Sequence, residues 1–120
     1  MPLTGRVNAR RDAILQLTVY AAAVSHTIDV IVDTGFTGSL LLPEPVATAL
    51  NLSVVQRTTA TLADGSLAIF RLCRCEVGWV AGQRAILAHI GRHREALLGT
   101  TLLAGQRLLI DYGAATVEIT

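Results

Sequence analysis

The segment richest in chemistry is Ile31-Val32-Asp33-Thr34-Gly35-Phe36-Thr37-Gly38. A β-branched run leads straight into a carboxylate, and two glycines follow. Burying an ionised carboxylate without a partner is costly, so Asp33 needs either hydrogen-bond donors or a task. Gly35 lets the loop turn tightly and bring backbone N–H groups toward the carboxylate. Thr34 adds a hydroxyl able to hold the loop in place. On Asp33, Thr34 and Gly35 alone two readings stand: an aspartate that caps a turn, and a carboxylate placed for proton transfer.

The other reactive side chains offer less. His26, His89 and His93 lack the local spacing of a metal site and read as ordinary surface or packed histidines. No metal and no cofactor is expected. Cys73 and Cys75 lie two apart, on one face of a strand, which suits two packed thiols better than a mutual disulfide. Two thiols alone do not make a structural zinc site. Arg92-His93-Arg94 reads as a solvated loop, Trp79 as a packing residue, and neither Ser25 nor Ser39 has a His/Asp arrangement beside it.

The elements that must position Asp33 follow from turn signals at short spacing. Strands are expected at Ala13 to Tyr20, Thr27 to Val32 and Ser39 to Leu42. A helix is expected from Glu44 to Leu50, with Pro43 and Pro45 framing its start and Asn51 ending it. Thr58 to Leu62 and Leu67 to Leu72 flank Ala63-Asp64-Gly65-Ser66, and an Asp-Gly pair between such runs signals a hairpin. Strands continue at Cys73 to Val80, Arg84 to Ile90 and Ala96 to Leu98. Thr100 to Ala104 reads as one or two helical turns, with Thr100 as cap and Gly105 as stop. Leu108 to Asp111 and Thr116 to Ile119 close the chain as a hairpin. The terminal segments, Leu3 to Arg10 and Thr116 to Thr120, are candidates for strand pairing between two copies, since pairing hides edges. This is an all-β pattern with one or two short helices, in a single domain over residues 1–120.

Composition narrows the function classes. Of 120 residues 52% are hydrophobic, 16% charged and 4% aromatic, which implies an aliphatic core. A net charge of +1 without a concentrated basic face argues against nucleic acid. The longest nearly apolar stretch, Ala13 to Val24, contains Gln16 and Thr18 and falls short of the ~20 residues of a spanning helix. No membrane partner and no secretory signal is expected, and the two unpaired cysteines fit a reducing, cytoplasmic setting.

The order of landmarks then adds a resemblance. Ile31-Val32-Asp33-Thr34-Gly35, the continuation Gly38-Ser39-Leu40-Leu41-Leu42-Pro43, the Ala63–Ser66 hairpin, Leu97-Leu98-Gly99-Thr100-Thr101-Leu102-Leu103 and Leu109-Ile110-Asp111-Tyr112 together resemble the retropepsin-like aspartic proteases, in particular small bacterial members. The resemblance implies a small closed β-barrel of the acid-protease type. It implies an aspartic endopeptidase in which water is activated between two Asp33 carboxyls, one from each chain of a homodimer, with Thr34 bonding across the axis and Gly35 allowing close approach. Asp64 and Asp111 do not sit in a second loop of this kind. A peptide or protein substrate would lie under a flap formed by Leu62, Ala63, Asp64, Gly65 and Ser66, with Leu67 beside it. Phe36, Thr37, Leu98 and Gly99 would complete the cleft. Two departures stand out: Phe36, where many members carry a small residue, and a flap tip with Gly65 alone. Phe36 either narrows the substrate pockets or packs beneath the loop. The alternative to an enzyme is a non-catalytic peptide-binding or assembly module of the same fold.

Overall fold

Alternating apolar and polar residues separated by tight turns produce a mostly β structure. The computed structural model describes residues 1–61 and 64–120. In chain order the elements are β1 (Leu3–Val7), β2 (Ala13–Ala21), β3 (Val24–Val32), β4 (Leu40–Pro43), α1 (Glu44–Ala49), β5 (Val54–Thr61), β6 (Leu67–Trp79), β7 (Gly82–Gly91), β8 (Ala96–Leu98), α2 (Thr100–Leu103), β9 (Leu108–Asp111) and β10 (Thr116–Ile119). The strands hydrogen-bond in the order β5-β6-β7-β4-β8-β3-β2-β1-β10-β9. A further pairing of β6 with β2, through Val19↔Val77 and Tyr20↔Glu76, closes the ring β2-β3-β8-β4-β7-β6 into a six-stranded barrel. No helix among the described residues is long and apolar enough to cross a membrane.

The barrel interior follows from the two-residue period of a strand. On β2, Leu15, Leu17 and Val19 point inward and are buried, whereas Gln16 between them is exposed. Val30, Leu40, Leu42, Val77, Ile86, Ala88, Ile90, Ala96 and Leu98 fill the same core from the other strands. Fully burying one such Leu, Ile or Val is worth about 1.5–3 kcal/mol, so the aliphatic composition is sufficient without aromatic bulk. The helix α1 starts at Glu44 behind Pro43 and ends before Asn51, whose φ of 52° stops it.

Three features differ from the expectations. The Leu3–Val7 segment is not a free edge: β1 pairs with β2 on one side and β10 on the other, through Leu3↔Ile119 to Arg6↔Thr116. The edges of the terminal segments are therefore filled within one chain, and β5 and β9 end the sheet instead. The β2–β3 hairpin is tighter than expected, with Ala21 paired to Val24 and Ala22 at φ 51°. Finally, β6 runs unbroken for 13 residues from the Asp64–Ser66 turn into the barrel, so that hairpin and the barrel share a strand.

Both thiols enter the barrel wall as free, buried cysteines, and Cys73 Sγ lies 3.7 Å from the Ala88 carbonyl as a weak donor. Burial, with smaller contributions from Cys73 and Glu76, pushes the Cys75 thiol up to about 12. Burial likewise raises Cys73, against a smaller opposing pull from Arg71. A thiolate is the reactive form, so both should be inert in the folded chain. With a disulfide-exchange reagent at neutral pH, both thiols should react at least about a hundredfold faster in urea than in buffer. Rapid stoichiometric reaction of the native chain would contradict this burial.

Candidate active site

Asp33 sits one residue beyond β3, at the point where β3 runs parallel to β8. The pairing Val32↔Leu98 continues into a bond from Asp33 N–H to the Leu98 carbonyl at 2.9 Å, which fixes the backbone below the carboxylate. The Gly35 N–H donates to Asp33 Oδ1 at 2.9 Å, and the Phe36 N–H to the Asp33 carbonyl at 3.1 Å. One carboxylate oxygen is thus held from within its own loop. Asp33 is half-buried, while Thr34 and Gly35 are exposed. The Thr34 hydroxyl has no hydrogen-bond partner among the described residues. A Cβ at position 35 would lie 3.2 Å from Asp33 Oδ1. Positive φ among the described glycines occurs at Gly65, Gly82 and Gly105, so it is the close approach to the carboxylate, not a left-handed turn, that matters at Gly35.

The loop is docked on the segment after β8. The Gly99 N–H donates to the Ser39 carbonyl at 2.9 Å, Thr100 N–H to Phe36 at 2.8 Å and Thr101 N–H to Gly38 at 3.2 Å. The Thr100 hydroxyl adds a 3.4 Å bond to the Phe36 carbonyl, and the Thr101 hydroxyl donates to Thr37. N–H groups of a first helical turn lack partners within the helix. Here the carbonyls of the aspartate loop supply partners for Thr100 and Thr101. Gly99, not Thr100, is the N-cap of α2, and no side chain caps it.

Only glycine fits at 99. An added Cβ would stand 2.1 Å from the Gly38 carbonyl oxygen and 2.6 Å from the Phe36 ring. Leu98 is 0% exposed in the core and Gly99 is buried beneath the loop. Within this chain both support the Asp33 loop. The half-buried Phe36 ring packs under the loop, edge-on to His89 at a centroid distance of 5.4 Å. Thr37 is exposed, with its carbonyl committed to Thr101.

β5 and β6 form the hairpin that the sequence reading expects as a flap. Leu62 and Ala63 lie outside the described residues. At the tip, Asp64 Oδ1 accepts both the Ser66 hydroxyl at 2.6 Å and the Ser66 N–H at 2.9 Å. These two bonds, the hydroxyl first, hold the Asp64 carboxyl below its ordinary range. Gly65 turns the chain at φ 84°. Leu67 and Ile69 face outward, 71% and 73% exposed, while Phe70 turns back to the barrel.

His89, which the sequence reads as a surface or packed histidine, packs between the Asp33 loop and β6. Its ring meets Phe36 on one side and Phe70, at 5.6 Å, on the other. No group of metal-ligating side chains occurs among the described residues.

Two measurements follow. Gly99→Ala should destabilise the fold by about 1–3 kcal/mol or more in urea titration, as overpacking does, and should lower any activity; an unchanged midpoint would refute the docking contact. Burial holds His89 below its ordinary value of 6.5, in the neutral form. As pH falls through that value the unfolded chain protonates first, so it binds more protons than the native state and native stability declines. The urea midpoint should fall more for the wild type than for His89→Phe between about pH 7 and pH 5. Parallel curves would remove His89 as the cause.

No family model and no curated protein matches the sequence. The structure, by contrast, is similar to solved ones. A retropepsin-like aspartic protease from Rickettsia conorii matches with a TM-score of 0.65 at 18% identity, over 99% of this chain and 90% of that one. The EIAV protease, solved with the inhibitor HBY-793, matches with a TM-score of 0.62 at 12% identity, over 81% of this chain and 89% of that one. With the closed barrel, and with the Asp33 loop seated on the Leu98-Gly99 turn, these matches give the chain the retropepsin-like fold.

Proposed function

We propose that the chain is an aspartic endopeptidase that acts as a homodimer. The observation that carries this reading is the Asp33 loop itself. A half-buried carboxylate is fixed through one oxygen by Gly35 N–H, its backbone is tied to Leu98, and the adjoining exposed Thr34 hydroxyl is unused among the described residues. A single carboxylate can take a proton from water but cannot also supply one to the substrate. Peptide hydrolysis needs both transfers, and each chain has one such loop. A two-fold axis between two copies would place the second Asp33 opposite the first.

In that arrangement two close carboxyl groups share one proton. The ionised one takes a proton from the water between them, and the water oxygen attacks the peptide carbonyl carbon. The protonated one gives its proton to the carbonyl oxygen, forming a tetrahedral diol. Transfer of a proton to the amide nitrogen then breaks the C–N bond, releasing an acid and an amine. Thr34 would bond across the axis and Gly35 would permit the approach. The hairpin over Asp64, Gly65 and Ser66 would fold over an extended peptide and exclude water.

A non-catalytic peptide-binding module is the second reading. The in-chain pairing of β1 with β10 favours it, because that pairing fills edges a dimer could otherwise use.

Asp33→Asn separates the two. On the first reading it lowers peptide cleavage by about a thousandfold or more, leaves stability within about 1 kcal/mol of wild type, and leaves the solution mass at twice that of one chain. Equal cleavage by the Asn variant, or a wild-type chain that is monomeric at all concentrations and cuts nothing, would overturn it.

A further inference from the structure

The flap side of the barrel holds a cavity of about 600 Å³ that the proposed chemistry does not use. Its base is apolar: Leu41, Phe70 and Ile90 line it. Its rim is basic: Arg57 from β5, Arg71 from β6 and Arg92 after β7. Glu44, at the start of α1, is the only carboxylate among the lining residues, and it is paired with Arg71. Arg57 and Arg92 form no ion pair among the described residues, and both are exposed. The rim therefore carries two uncompensated guanidinium groups around an apolar floor, in a chain whose net charge is only +1.

The cavity is tied to the Asp33 loop. Phe70 on its floor packs against His89, and His89 packs against Phe36, three residues beyond Asp33. An extended peptide advancing ~3.4 Å per residue crosses those two ring contacts in about three residues. The same hairpin that would cover the scissile bond forms the wall of the cavity.

We infer that this cavity is a specificity subsite for an acidic side chain, Asp or Glu, of an extended peptide, a few residues to one side of the bond at Asp33. The inference rests on the peptide-cleft reading above and adds the substrate class. The apolar floor accepts the methylene stem. Arg57 and Arg92 supply the planar donor pairs that match a carboxylate. Arg71 is already committed to Glu44 and holds the wall in place. A polyanion is a poorer fit for a chain whose net charge is only +1.

Two measurements keep the subsite and the catalytic reading separable. In the first, the full chain digests a diverse peptide library and the cut sites are mapped by mass spectrometry. Asp and Glu should be enriched over Asn and Gln at one fixed position by about tenfold, the size of one charge-assisted hydrogen bond. In the Arg57→Gln/Arg92→Gln variant that ratio should collapse toward one. In the second, the Asp33→Asn chain, which should bind without cutting, is titrated with a labelled random octapeptide pool carrying one fixed Glu, and with its Gln counterpart. The Glu pool should bind about tenfold tighter at low salt, with the advantage lost at high salt or in the arginine variant. No difference between the pools, or a preference that survives both arginine substitutions, overturns the subsite. So does tighter binding of a single-stranded oligonucleotide than of the Glu pool. A Glu preference in binding, with no cleavage of any peptide by wild type, keeps the subsite and sinks the endopeptidase.

Discussion

Gly99 stands where a backbone must pass within contact distance of another backbone. Its missing side chain lets the Asp33 loop lie directly on the turn after β8, with the Gly38 carbonyl and the Phe36 ring in the space a Cβ would take. From that contact follows a ladder of bonds: Gly99 to Ser39, Thr100 to Phe36, and Thr101 to Gly38 and Thr37. Each satisfies a backbone group of the loop or the turn. The loop is therefore rigid below Asp33 and open above it. The proposed catalysis would need that division, because positioning must come from groups that do not themselves react.

The barrel makes this contact possible. Parallel pairing of β3 with β8 brings Asp33 and Gly99 level, although they are far apart in sequence. Closure through β6 and β2 then removes the free edges that would let the two strands slide. The strand β6 also links the Asp64–Ser66 hairpin to the barrel, since it begins beside the hairpin turn and ends in the barrel wall. Movement of the hairpin would reach the Asp33 loop through Phe70, His89 and Phe36. A neutral, desolvated imidazole at the centre of that stack makes the same linkage sensitive to acid.

Much of the fold was legible in the sequence, for physical reasons. Strands such as β2 show their period directly, because the barrel buries one face only. The Asp64-Gly65 turn is readable because positive φ selects glycine. The Asp33 segment was readable by its order relative to Gly99 and the closing hairpin, not by its own three residues. What could not be read depends on register between distant segments. The partner of β1 is β10, at the other end of the chain, and no local pattern encodes that. Thr100 has the chemistry of a cap, but carbonyls of another loop take that place. The direction of the Phe36 ring is set by the space beside Gly38 and Gly99. His89 acquires its position only when β4, β6 and β7 align, and the three arginines of the groove come from three separate elements for the same reason.

The proposed hydrolysis turns on one carboxylate becoming two. A crystal structure of the chain with a hydroxyl-bearing, statine-type transition-state mimic tests that most directly, through the separation of the Asp33 carboxyls of two copies. The prediction is a two-fold pair about 3 Å apart, both hydrogen-bonded to the inhibitor hydroxyl. Two copies whose Asp33 carboxyls lie well beyond hydrogen-bond reach of one another and of the inhibitor hydroxyl would contradict it.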